Sequence, residues 1–249
     1  MEVHHHPEVE KKGLKEYLLE GFMIFVAVSM GFIAEGIRES MTKREKETEY
    51  IHSLALNLQE DIVSIGHTIH ENEAKVRGLD SVLSLAGKNM NDPVNRKKLY
   101  TYSVEYISYY SGFGSNDATM IQLLNAGGLQ YIRHGHIADS IARYDQEMRS
   151  IHAAETAYSK AINDGMDAAS RLLIFRLRHD SLYYKDGEYR PNKLLPLLAN
   201  DTHTMDVFFN KITYERGWTQ NYIDNMKERV PYMLRLGALL KKEYDIKYE

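Results

Sequence analysis

Apolar positions along this chain fall into two kinds of helical pattern. Residues 21–34, GFMIFVAVSMGFIA, carry no charged side chain and are apolar all the way round, whereas the segments beyond residue 50 are apolar along one stripe. A run that is apolar on every side belongs in a core or in lipid. Residues 21–34 alone give only about 21 Å of helix, short of the ~30 Å hydrocarbon layer. Extended through Tyr17, Leu18 and Leu19 on one side and Gly36 and Ile37 on the other, the run is long enough to cross. Glu20 and Glu35 then stand near the two interfaces, and Tyr17 is placed as an interfacial anchor. The pattern therefore predicts a transmembrane helix over 17–37, preceded by a tail, 1–16, that is partly an amphipathic helix. Its rivals are the core helix of a soluble protein and a signal peptide, since Ala27 and Ser29 are small residues two apart after an apolar run. We read the segment as a retained single span.

One face of that span stands out. Glu20, Ile24, Ala27, Gly31, Glu35 and Arg38 follow one another at steps of three and four and so share a side of the helix. The pair Ala27 and Gly31 has the small-xxx-small spacing that lets two helices approach closely, making this face the candidate surface for membrane contact and self-association.

Beyond the span the helix is expected to continue over 38–90. Ile51, Ala55, Leu58, Ile62, Ile65, Ile69, Asn72, Val76, Leu79, Leu83 and Ala86 alternate steps of four and three, a coiled-coil-like seam with one polar interruption at Asn72. The seam serves either as the first helix of an intrachain bundle or as a coil between copies. Residues 91–249 are expected to form the remaining helical body. Pro93 opens a second helix running to about Tyr110, with Tyr102, Tyr106 and Tyr109 on one face. Asn116 or Asp117 caps a short helix that ends at Gly127 and Gly128. A long helix follows from about Ile137 to Arg178, then SLYYKDGEYR as a small hairpin or a loop. Pro191 and Pro196 bound a connector, and two last helices are expected over 203–216 and 219–245. The fold class is all-α, an N-terminal transmembrane helix leading into a helical bundle.

Composition narrows the function classes. The 31 Lys plus Arg against 35 Asp plus Glu give a formal net charge of -4, without the basic excess that a nucleic-acid partner demands. With no cysteines, disulfides and thiolate metal sites are excluded, and the redox compartment stays open. No catalytic, cofactor or metal site is assigned. His4, His5 and His6 invite a metal if several copies gather. His67, His70 and Glu71 are spaced on one helical side but outward from the seam, and His134 and His136 flank Gly135. His179 and Asp180 form the dipeptide of helical metal-dependent phosphohydrolases, which need it inside a helix with further ligands. Lys and Arg near the two ends of the span differ by one charge, which leaves sidedness open with a lean towards a cytoplasmic body.

The opening MEVHHHPEVEKKGLKEYLLEGFMIFVAVSMGFIAEGIRE, followed by YIHSLALNLQEDI, resembles a family of single-span bacterial membrane proteins with a domain of unknown function, frequent in Bacteroidetes-type bacteria. The shared features are the HHHP start, KEY before the span, the IRE exit, and a following helix with Tyr, Ser-Leu and Asp at fixed steps. TMIQLLNAGGLQYIR is similar to a later passage of the family. The match is most specific over about the first 65 residues. It implies a native triple His and a bacterial inner-membrane location, and it brings no activity and no catalytic residue. Function is thus expected to be structural, scaffolding or sensory, through homo-oligomers, lipid and an unidentified protein partner. The alternatives are an oligomeric, acid-lined path through the membrane and a phosphohydrolase at His179 and Asp180.

Overall fold

Residues 14–83 contain no proline, and the computed structural model carries them as one helix, α1 (Leu14–Leu83). The structure describes residues 13–125, 127–185, 188–189 and 193–246. The His4–His6 run, Lys11 and Lys12, the Asp186–Gly187 turn and Pro191 lie outside these. The chain divides into two compact units, residues 1–49 and residues 50–249. The first contains the apolar part of α1, long and apolar enough to cross a membrane, with a mean hydropathy of 1.9 over its best window and none of that window buried. The expected limits at 37/38 and 90/91 fall, respectively, inside α1 and in the turn after it.

Within the second unit, α1 stops at Leu83 in a series of tight turns, where Gly87 has φ 72°. Asp92 then accepts from the Val94 amide at 2.9 Å and Pro93, which has no amide hydrogen, takes the first turn, so α2 (Pro93–Tyr102) starts with its first amide capped. A π-helical turn, Ser103–Ile107, extends it. A loop, 108–117, leads to α3 (Ala118–Asn125), a 3-10 turn Gly128–Tyr131, and α4 (Gly135–Leu172). A second 3-10 turn covers Phe175–His179, and β1 (Tyr184–Lys185) pairs antiparallel with β2 (Glu188–Tyr189). The last element, α5 (Thr202–Tyr244), is capped by Asp201, which accepts from the Thr204 amide at 2.9 Å.

Two expected boundaries are corrected. The helix from Ile137 ends at Leu172 and not at Arg178, because Leu173 turns extended to bridge Leu197 and the Leu198 amide donates to the Leu172 carbonyl at 3.0 Å. The two helices expected over 203–216 and 219–245 are one. Gly217 faces open space and breaks nothing, while Thr219 Oγ1 donates to the Glu215 carbonyl at 2.7 Å across the presumed gap. Pro231 also lies inside α5.

The stripes of α1, α4 and α5 enclose two apolar clusters. The first includes Leu58, Ile65, Ile151, Tyr158, Tyr222 and Met226, and the second Leu79, Leu99, Ala169, Leu172, Phe208 and Ile212. Between them, each long helix changes character. On α1 the change falls at Asn72 and Lys75, on α4 at Gly165, and on α5 at Glu215 and Thr219, all four polar side chains being buried. A polar layer therefore crosses the bundle between its two cores.

Candidate functional site

Lys75 and Glu215 form the centre of that layer. Lys75 Nζ lies 2.8 Å from Glu215 Oε1, and neither side chain is exposed to solvent. The contact is a close ion pair, and Oε2 has no hydrogen-bond partner among the described residues. Gly165 makes room for that oxygen, since a Cβ there would overlap Oε2. Lys75 Nζ also donates to the Tyr109 carbonyl at 2.5 Å and stands 5.2 Å from the centre of the Tyr158 ring. Burial is the larger influence on both partners. It pushes the Glu215 carboxyl up to about 7 against the pull of Lys75, and it lowers Lys75 against the pull of Glu215.

The loop 108–117 lies over this layer and is held by side chains from α1, α4 and α5. Asn72 Nδ2 donates to the Ser111 carbonyl and to the Thr68 carbonyl, each at 2.8 Å. The Ser111 amide donates to the Tyr158 hydroxyl at 3.4 Å and the Phe113 amide to the Tyr222 hydroxyl at 2.9 Å. Those two rings stack with centres 4.9 Å apart, and Tyr110 stacks on Tyr158 at 5.6 Å. Ser111 Oγ donates to Glu71, and the Tyr110 hydroxyl donates to Glu155, which holds it up near 12 together with burial, the larger cause. Gly112 sits where a Cβ would strike both members of that last contact.

The far end of the loop walls a cavity of about 260 Å³. Asp61, Ser115, Asn116, Asp117, Tyr144 and His152 give its polar side, and Met120, Ile121, Leu124 and Met148 the apolar side. Buried Asp61 accepts from the Asn116 amide and the Tyr144 hydroxyl, both at 2.8 Å, and burial raises its carboxyl. His152 Nε2 is 3.2 Å from Ser115 Oγ, and its Nδ1 is 3.6 Å from Glu155 Oε2. The order Ser, His, Glu is that of a nucleophile relay, but the imidazole is half exposed and its Glu contact is long. The group ties the loop to α4.

The six residues of the face expected on the apolar helix can be placed on α1. Glu20, Ile24, Ala27, Gly31, Glu35 and Arg38 all lie exposed on α1. Arg38 and Glu35 form a two-pronged pair at 2.6 and 2.9 Å, so that end of the face carries compensated charge. Along the seam, Leu58, Ile65, Asn72 and Val76 are buried and Ile62 and Ile69 half-buried, packed within this chain. His67 is exposed, 3.6 Å from Glu71. His179 and Asp180 lie at the end of a 3-10 turn and not within a helix, and among the described residues no three His, Asp or Glu side chains converge on a metal position.

Lys75, Glu215, Gly165 and Asp61 were not among the expected site residues. A readable sign exists on α5, where Phe208, Ile212, Glu215, Thr219, Tyr222 and Met226 alternate steps of four and three, placing an acid inside an apolar stripe. Asp61 likewise lies three residues after Leu58 of the seam. Comparison with protein-family models, curated proteins and solved structures gives no match.

Proposed function

We propose that the protein is a single-pass anchor of a bacterial inner membrane, held by residues 17–37, that associates with further copies of itself through the Glu20–Arg38 face. The 50–249 bundle then serves a structural, scaffolding or sensory role on the cytoplasmic side, without catalysis of its own. The observation that carries this reading is the exposure of Leu18, Phe22, Phe25, Met30, Phe32 and Ile33, each more than half accessible. Apolar side chains ringing a helix on all sides find their partner in lipid. The resemblance of the first 65 residues to a single-span family supports the same reading. The held loop and its cavity favour the sensory form, because a tethered segment over a polar interior has two states to offer a stimulus.

The test uses the absence of cysteine in the chain. Membranes washed with alkaline carbonate should retain the full chain. A single cysteine placed at exposed Val63 should react with an impermeant maleimide only after the inner membrane is opened. Recovery in the carbonate-soluble fraction overturns the anchor, and reaction in sealed cells overturns the cytoplasmic side. A strictly monomeric mass in detergent overturns self-association.

A further inference from the structure

We propose that seating of the 108–117 loop is coupled to proton uptake by the polar layer beneath it, so that the loop is held more firmly as its surroundings acidify and loosens as they turn alkaline. The inference deepens the sensory reading by naming its stimulus, and it rests on that reading.

The geometry explains why a proton is involved. With the loop seated, Glu215 is out of water, one of its oxygens faces a single ammonium group, and the other faces the notch at Gly165 with no hydrogen-bond partner among the described residues. A carboxylate so placed has lost its hydration and regained little. The same Lys75 that compensates it is divided between Glu215 and the Tyr109 carbonyl. Lifting the loop removes that carbonyl and the Ser111 carbonyl held by Asn72, and admits water to both members of the pair. Hydrated, Glu215 returns to an ordinary carboxylate.

Few charged groups face the pair. Lys75 comes from α1, where Glu71 is engaged by Ser111. From α4 comes the Tyr158 ring, whose hydroxyl stays neutral because burial and the charge of Glu215 raise it. Tyr222 of α5 and Tyr110 of the loop both stack with Tyr158, and Tyr110 is hydrogen-bonded to Glu155. The Lys211–Asp164 pair, one turn along α5 and beside Gly165, is about half exposed and compensates itself at 3.0 Å.

The sign follows from the direction of the shift. Burial raises Glu215 from 4.5 to about 7 in the seated form. Between those values the seated form binds more protons than the lifted one, so raising pH through this window favours lifting. Lys75, lowered by burial, acts with the opposite slope as pH rises towards its ordinary 10.5, and Glu215→Gln separates the two contributions.

Amide hydrogen exchange on the full chain in detergent reads the loop directly, at the Ser111 and Phe113 amides held by Tyr158 and Tyr222. After correction for intrinsic rates, their protection should fall about ten-fold between pH 6 and pH 8, and the fall should vanish in Glu215→Gln. A flat wild-type profile, or an unchanged fall in Glu215→Gln, overturns the proposal. Should that variant not fold, infrared titration of the wild type and of Asp61→Asn decides: a protonated-carboxyl band lost near pH 7 in both supports it, and its absence in Asp61→Asn overturns it. A flat profile in protein that stays in carbonate-washed membranes defeats the proton coupling alone, whereas release from those membranes defeats the anchor.

Discussion

Gly165 of α4 stands against Glu215 of α5 so closely that Oε2 occupies the volume a Cβ would need. The acid and the glycine are therefore one packing unit. Gly165→Ala should destabilise the bundle by about 1–3 kcal/mol through overpacking in a site with no slack. Gly217→Ala, on the same helix as Glu215 but facing open space, should stabilise by about 0.5–1 kcal/mol, the helix-propensity gain alone. Thermal melts of the two variants in one detergent check both signs.

The buried pair calls for a double-mutant cycle. Removing one partner, as in Lys75→Met or Glu215→Leu, strands the other in a dry interior and should cost about 3–5 kcal/mol. The double variant should be much less destabilised than the sum, since two apolar side chains of similar size leave nothing uncompensated. Denaturant midpoints at constant slope give the coupling, and simple additivity would mean the two residues act independently.

Asp61 is the pin at the other end of the loop. Asp61→Ala removes the acceptor of the Asn116 amide and of the Tyr144 hydroxyl, leaving Tyr144 buried without that partner. A loss of about 2–4 kcal/mol is expected, with faster exchange at the Asn116 amide than at the Phe113 amide. Equal acceleration at both sites would show the loop moving as one piece.

For the proposed span, Phe25→Lys places a charge near the middle of the apolar run and should weaken insertion by about 2.5–3.5 kcal/mol. Leu56→Lys, at an exposed position of the bundle, should leave the membrane-bound fraction unchanged. Carbonate extraction followed by immunoblotting compares them.

A further substitution addresses the shared face. Gly31→Ile fills the small-residue step between Ala27 and Glu35 and should weaken the proposed self-association several-fold in detergent or bilayer, without moving the thermal midpoint. Cross-linking yield as a function of protein-to-detergent ratio reports the change.

How much of this was legible beforehand depends on whether a residue's partner is local. The helical class, the start of α2 at Pro93 and the seam through Leu58 and Ile65 follow from spacing and caps, which are properties of neighbouring residues. Asn72 was visible as a break in the seam, but its partner, the Ser111 carbonyl, lies 39 residues away and no local pattern announces it. Nothing local marks Lys75 as buried, since charged residues are usually at the surface. Its burial is decided by Glu215 and by a loop whose course is set by Tyr158, Tyr222 and Asp61. The end of α4 escaped for the same reason, since Leu173 leaves the helix to meet Leu197 from beyond the hairpin.

The layer of Asn72, Lys75, Gly165, Glu215 and Thr219 also bears on how the bundle comes apart. It leaves the apolar interior as two compartments, one around Ile65, Tyr158 and Tyr222, the other around Leu79, Leu172 and Phe208. Each compartment shields its own amides, and at the join between them the buried stripes of α1 and α5 turn polar while that of α4 carries a glycine. Sub-global opening should therefore begin there, with the second compartment, together with α2 and the β1–β2 hairpin, fraying as one cooperative block while the first remains closed.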